Sequence, residues 1–272
     1  GAGRLCYYAD TSASGRPLVL LHSVNAAPSA LEMKPLFDHY RGKRPVYAPE
    51  LPGFGHSERR DIRYTPQGYA EALAAVLAQT GAAGADVVAL SLGAEFAARA
   101  ALAHPDAVRS LVLLSPTGMS VRRPPGGATS ARIHRVLRLP LLGDVLFSLV
   151  RSRSSIRYFL GLSFSGDPPP AMIEHAWRTA RLPGASHAPF CFLSGMLFTP
   201  DAFDSLYLRV TQPALVIYDE DPNVRFDRLP ALLAARDNWQ AQRIAPTRGL
   251  AHWEQTGATV AALDAFWSGL DG

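Results

Sequence analysis

Apolar residues arrive along this chain in short unbroken bursts, separated by longer stretches with helical spacing. Residues 17–22 contain Leu-Val-Leu-Leu, 86–90 read Asp-Val-Val-Ala-Leu, 109–114 end in Leu-Val-Leu-Leu, and 214–218 read Ala-Leu-Val-Ile-Tyr. Runs that do not alternate with polar residues are what a parallel sheet needs, because helices cover both of its faces. Residues 4–9, 45–48 and 240–245 are further predicted strands. Residues 64–80 predict a helix: Thr65 can accept from a free N–H of the first turn, Pro66 suits that turn, and Tyr69, Leu73, Val76 and Leu77 share a face. Residues 92–104 predict an Ala-rich helix stopped by Pro105, 30–40 a helix offset by Pro35, and 256–270 a closing amphipathic helix carrying Val260, Leu263, Phe266 and Trp267. Strand, helix and strand at this spacing predict parallel pairing through right-handed crossovers.

The alternation stops after Ser115. Residues 122–127 are rich in Pro and Gly, the pattern up to about residue 209 is helical in period, and strands resume at 214. The expectation is an α/β fold: a mostly parallel central sheet with helices on both faces, formed by residues 1–117 and 210–272, with a helical cap over 118–209 inserted between late strands. A chain of 272 residues with 48% hydrophobic content can bury one large core.

Charge sharpens the division. The net charge is +4, yet residues 118–209 hold 11 Arg against 5 Asp and Glu, so the basic excess belongs to the cap and the remainder is acidic. The apolar stretch 139–150 is interrupted by Gly143 and Asp144 and is shorter than the roughly 20 residues a transmembrane helix needs, so no integral span is expected. The first residues lack the basic start and apolar run of a secretion signal, which favours a cytoplasmic location. Cys6 and Cys191 have no metal-ligand spacing and are expected as reduced, buried thiols. No metal site and no nucleic-acid-binding module is predicted.

The candidate chemistry centres on Asp-Val-Val-Ala-Leu-Ser91-Leu-Gly-Ala-Glu-Phe, a serine between an apolar strand and an Ala-rich helix. A turn that sharp needs small residues two positions away on each side, and Ala89 and Gly93 supply them. It exposes the serine oxygen at the carboxyl edge of the sheet and points the Leu92 N–H at a developing oxyanion. A second match, Gly161-Leu-Ser163-Phe-Ser165, runs into Gly-Asp-Pro-Pro-Pro instead of a helix and is discarded.

Together, Leu-Leu-His22-Ser, Leu51-Pro-Gly-Phe-Gly-His-Ser57, Ala89-Leu-Ser91-Leu-Gly93, Asp221-Pro222 and His252 resemble the ordered signatures of the α/β-hydrolase superfamily, in its serine-nucleophile, esterase- or lipase-like branch with a helical cap. The resemblance spans nearly the whole chain and implies the order serine, acid, histidine. His252 is the histidine that follows every candidate acid and is expected as general base. The resemblance favours Asp221 as the acid, with Asp219 as the alternative and Glu220 third. The family's second oxyanion donor corresponds to the Val24 N–H. Where the family most often has His-Gly, this chain has Ser23, and Ser23 and Asn25 are candidate pocket residues. His56 and Ser57 are read as serving their loop.

In the cap, residues 130–139 set Ile133, Val136 and Leu137 against Arg132, Arg135 and Arg138. A solvated cap helix explains this pattern, and so does a surface for transient contact with lipid. Leu141, Leu142, Leu146, Phe147 and the stretch 190–198 add apolar bulk for a pocket or for that contact. The leading expectation is hydrolysis of a small-molecule carboxylic ester, with a hydrophobic acyl or alcohol part, through an acyl-enzyme on Ser91 and without a cofactor. Alternatives are carbon–carbon bond hydrolysis, acyl transfer or lysis by the same triad, and a non-catalytic ligand-binding role for the fold.

Overall fold

The computed structural model describes residues 3–81, 84–122, 124 and 126–271. Gly1 and Ala2 at the amino terminus, and Arg123 and Pro125 of the Pro/Gly-rich stretch, lie outside them. The sheet strands are β1 (Cys6–Asp10), β2 (Leu18–Leu21), β3 (Val46–Glu50), β4 (Ala85–Leu90), β5 (Val108–Leu114), β6 (Ala214–Tyr218) and β7 (Trp239–Arg243). Their spatial order is β1-β3-β2-β4-β5-β6-β7. Only β1 runs antiparallel, pairing Cys6 with Glu50 and Asp10 with Val46. The other pairs are parallel, with Leu21 opposite Ala89, Val87 opposite Leu111 and Leu113 opposite Val216.

Helices α1 (Lys34–Tyr40), α2 (Pro66–Gln79) and α3 (Gly93–Ala103) connect the early strands. Thr65 caps α2 by accepting from the Gly68 N–H at 3.0 Å. Pro35 sits in the first turn of α1, where its missing N–H is harmless, and the four preceding residues, Ala30–Met33, form a separate 3-10 turn. Between β5 and β6 lie α4 (Gly127–Leu137), α5 (Leu142–Val150), α6 (Arg153–Leu162), α7 (Pro170–Thr179), α8 (His187–Leu193) and α9 (Ala202–Ser205). The chain closes with α10 (Leu229–Ala235), α11 (Ala251–Glu254) and α12 (Thr256–Asp271). Hydrophobic periodicity does not announce α10 or α11, because Leu229 and Leu232 are the only buried positions of α10 and α11 is one turn long.

Period-two alternation divides each buried strand between two cores. Val19, Leu21, Val87, Ala89, Leu111, Leu113 and Val216 pack with Leu73, Leu77, Phe96 and Leu232, and so face α2, α3 and α10. Leu18, Leu20, Val88, Leu90, Val112, Leu114 and Ile217 pack with Leu36, Tyr40, Leu263 and Trp267, and so face α1 and α12. At the opposite edge from the candidate site, Asp86 is buried but fully partnered by Arg44 at 2.5 Å, Arg109 at 3.3 Å and the Ser110 hydroxyl at 2.6 Å.

One expectation needs correcting. Cys191 is a buried free thiol, but Cys6, on edge strand β1, is only half-buried. Phe190, Cys191 and Leu197 are core residues and leave the surface to others. Ile133 and Val136 of α4 face solvent, and only Leu137 of that helix's apolar set packs inward, against Phe147, Ala185 and Phe190.

Candidate active site

The carboxyl end of β4 delivers Ser91 onto a turn that leads directly into α3. Its φ is +52°, left-handed backbone that a non-glycine residue rarely adopts. The turn is fixed on both sides: the Ser91 N–H donates to the Leu114 carbonyl at 2.8 Å, and its carbonyl accepts from Ala94 at 3.1 Å and Thr117 at 3.3 Å. Gly93 is required sterically, since a Cβ there would lie 2.6 Å from the His22 carbonyl oxygen. Ser163, by contrast, is an ordinary cap of α6 with φ −95°.

The loop after β2 crosses beside this turn. His22 is fully buried, accepts from the Leu51 N–H at 3.0 Å through Nε2, and donates from Nδ1 to the Ser23 carbonyl at 2.5 Å. Burial drives its pKa down to about 4, so the ring is a neutral strut. Neither the Val24 N–H nor the Leu92 N–H has a hydrogen-bond acceptor among the described residues. Ser23 and Asn25 are brought together, but around a residue that the motifs do not single out. The Ser23 N–H and the Asn25 amide donate to the two carboxylate oxygens of Glu32, at 2.9 and 2.8 Å. Burial raises the Glu32 pKa against these stabilising bonds.

His252 is fully buried at the start of α11, and burial lowers its pKa to about 4. Its Nε2 lies 2.7 Å from the Glu32 carbonyl oxygen, which also accepts from the Trp253 indole N–H at 2.6 Å. A carbonyl can only accept, so Nε2 carries the proton and Nδ1 the lone pair. That Nδ1 is buried without a partner. Among the described residues, no hydrogen bond joins Ser91 to His252 or His252 to Asp221.

The two candidate aspartates have different surroundings. Both oxygens of Asp219 are engaged, one by Arg243 Nε at 2.7 Å and the other by the Thr247 N–H at 2.7 Å, which ties the ends of β6 and β7 together. Asp221 receives the Asn223 and Val224 N–H groups on Oδ1, at 2.7 and 3.0 Å. Its Oδ2 faces the chain leading to His252 so closely that a Cβ on Gly249 would be 2.5 Å away. Burial outweighs these N–H bonds and a Ser115 hydroxyl contact and raises the Asp221 pKa to about 6. Glu220 is exposed.

Glu95, one turn into α3, also escapes motif reading. It is buried, accepts from the Thr117 hydroxyl and from the Thr199 N–H at 2.7 Å, and burial raises its pKa to about 7. It thereby ties α3, the helix that follows Ser91, to the chain after β5 and to the end of the helical insertion. A cleft of about 1100 Å³ opens beside it, lined among others by Thr117, Phe198, Asp221, Arg122 and Arg248; Ser91 and His252 do not line it. Among the described residues, no three His, Cys, Asp or Glu side chains are grouped to hold a metal.

A model of the alpha/beta hydrolase family matches residues 18–263, which include every element named at this site. The chain belongs to the α/β-hydrolase family. Over 170 residues, 57% of this chain and 60% of the relative, this α/β-hydrolase is 34% identical to a 2-hydroxymuconate semialdehyde hydrolase of Pseudomonas putida. It is also 42% identical over 80 residues to an esterase of Mycobacterium tuberculosis, a match covering 29% of this chain and 27% of that one. These matches span less than two thirds of either relative's length. Among solved structures, a meta-cleavage product hydrolase from Pseudomonas fluorescens has a TM-score of 0.75 at 15% identity, covering 98% of this chain and 94% of that one. An esterase from Exiguobacterium antarcticum has a TM-score of 0.75 at 14% identity, covering 96% and 94%. At such identities the likeness concerns the fold.

Proposed function

We propose that this α/β-hydrolase is a serine hydrolase that cleaves a carboxylic ester with a hydrophobic acyl or alcohol part, using Ser91, His252 and Asp221, with residues 118–209 as its cap. The observation that carries the reading is the strained Ser91 turn at φ +52°, with the N–H groups of Leu92, next in the chain, and of Val24 on the loop after β2 both free of an acceptor among the described residues. Free main-chain donors are what a tetrahedral oxyanion requires.

Catalysis on this reading begins with a change at His252. The ring leaves the Glu32 carbonyl and takes the other tautomer, with Nδ1–H toward Asp221 and the Nε2 lone pair toward Ser91. Ser91 Oγ then attacks the ester carbonyl while its proton passes to Nε2, and the carbonyl electron pair becomes an oxyanion bound by the Leu92 and Val24 N–H groups. Collapse breaks the bond to the alcohol, which leaves with the proton from Nε2. Water gives a proton to Nε2 of His252 and adds to the acyl-enzyme, and collapse of that second intermediate breaks the bond to Ser91 Oγ, which takes the proton back from Nε2 as the acid leaves.

The test is labelling by a fluorophosphonate probe, read by mass spectrometry, alongside turnover of a panel of nitrophenyl esters. Modification of Ser91, with ester turnover lost in Ser91→Ala, is expected; full activity of that variant would sink the reading. A second reading, carbon–carbon hydrolysis, is favoured by the 34% identity to a 2-hydroxymuconate semialdehyde hydrolase. Turnover of that semialdehyde exceeding that of every ester would select it.

A further inference from the structure

The outer face of the first helices between β5 and β6 differs from the rest of the surface. Of the sixteen exposed large apolar side chains on the described residues, ten fall between Ile133 and Phe159. That density requires a cause beyond the isolated apolar residues any soluble surface carries. On α5 the residues Leu142, Val145, Leu146 and Leu149 share one stripe at spacings of three and four, and all point to solvent. The helix cannot simply roll over to hide them. Its inner face is fixed by Phe147, packed against Phe190, and by Gly143, where a Cβ would meet the Leu137 carbonyl at 2.2 Å. At the corner leading into α5, Leu141 is 79% exposed with φ +64°, a conformation in which glycine would be cheaper.

Charge indicates what covers this face. Residues 127–162 contain six arginines and one acid, Asp144. Arg138 pairs with Asp61 and Arg153 with Glu174, but Arg132, Arg135 and Arg157 have no acidic partner among the described residues. A second copy docking through the same face would bring these cations against their equivalents. An apolar stripe bordered by unpaired arginines is instead complementary to a surface with anionic headgroups above hydrocarbon. Tyr158, exposed on the adjoining α6, suits the headgroup level.

We propose that this face docks on anionic lipid bilayers, with Leu141, Val145 and Leu149 entering the acyl boundary and Arg132, Arg135 and Arg157 against the phosphates. The inference stands apart from the hydrolytic reading, since it requires no step at Ser91.

Flotation of the full chain through a density gradient tests it, with vesicles of phosphatidylcholine alone and of phosphatidylcholine mixed with phosphatidylglycerol. The chain is expected to float with the mixed vesicles and to be released by high salt. Combined replacement of Val145→Asp and Leu149→Asp should abolish flotation while leaving the thermal melt in place, because both side chains are exposed. Combined Arg132→Gln, Arg135→Gln and Arg157→Gln should weaken partition to mixed vesicles roughly a hundredfold, at about fivefold per arginine, and supplies the readout should the aspartate variant misfold. Absence of flotation by the unmodified chain would overturn the proposal. So would flotation undiminished in both variants, or a dimer in size-exclusion chromatography that the aspartate variant converts to monomer with no vesicle binding.

Discussion

The carbonyl oxygen of Glu32 holds Nε2 of His252 at 2.7 Å, and this one contact sets the protonation state of the ring. With Nε2 protonated and committed to that carbonyl, the ring's free lone pair is on Nδ1, which is buried without a partner. The ligand-free protein should therefore show the Nε2–H tautomer, neutral well below the usual histidine range because burial lowers its pKa to about 4. Nitrogen-15 shifts of His252 should report that tautomer, and a transition-state-like phosphonate on Ser91 should switch it. His252→Ala should reduce kcat by about a thousandfold or more. An unchanged ester kcat in that variant would remove His252 from the chemistry.

Asp221 and Asp219 should fail in different ways. Asp219→Asn breaks the Arg243 pair and weakens the tie to the Thr247 N–H, so it should lower Tm by the equivalent of about 1–3 kcal/mol while activity per folded molecule persists. Asp221→Asn should keep the fold and reduce kcat by about ten-thousandfold, because an amide cannot hold the required imidazole tautomer. The pH profile adds a sign. The Asp221 pKa is raised to about 6, so its carboxylate form grows as pH rises through that value, and kcat/KM should rise with it. A flat profile between pH 5 and 7 would argue against Asp221 as the acid.

What the sequence could convey was limited by range. The strained turn at Ser91 is legible because its demands are local: an apolar strand before, an Ala-rich helix after, and Gly93 where nothing larger fits. The sheet is legible for the same reason, since unbroken runs such as Leu18–Leu21 and Ala85–Leu90 have few other uses. The environment of His252 is not, because its partner Glu32 lies 220 positions away and acts through a main-chain atom that any residue possesses. Nor could spacing distinguish the two aspartates, whose difference resides in Arg243, Thr247 and Gly249 on another strand and loop. On α4 the sequence set Ile133, Val136 and Leu137 apart from the arginines, but periodicity carries no sign saying which of them point outward, as Ile133 and Val136 do.

Gly93 offers a steric test of the turn. A Cβ there would meet main-chain oxygen of His22 at 2.6 Å, and backbone cannot swing aside as a long side chain can. Gly93→Ala should therefore destabilise the protein by about 1–3 kcal/mol and slow phosphonate labelling of Ser91 in the molecules that remain folded. Gly257→Ala, on α12 with open space around it, is the control, and should leave Tm unchanged or slightly raised.

Glu95 links pH to stability in the opposite direction from a paired surface carboxylate. Its pKa is raised from 4.5 to about 7 by burial, so between those values the unfolded chain is ionised while the folded one still holds its proton. Stability from this group is therefore fully present below pH 4.5, declines as pH rises toward 7, and stays low above it. Glutamine keeps the shape, can accept from the Thr199 N–H and can donate to the Thr117 hydroxyl oxygen, without ever ionising. Glu95→Gln should consequently raise stability by about 1–3 kcal/mol at pH 8 and by almost nothing at pH 4.5. Chemical denaturation at the two pH values measures the difference. A loss of stability at pH 8 would mean that the carboxylate, once formed, is held by the Thr117, Thr199 and Arg99 environment strongly enough to offset its burial.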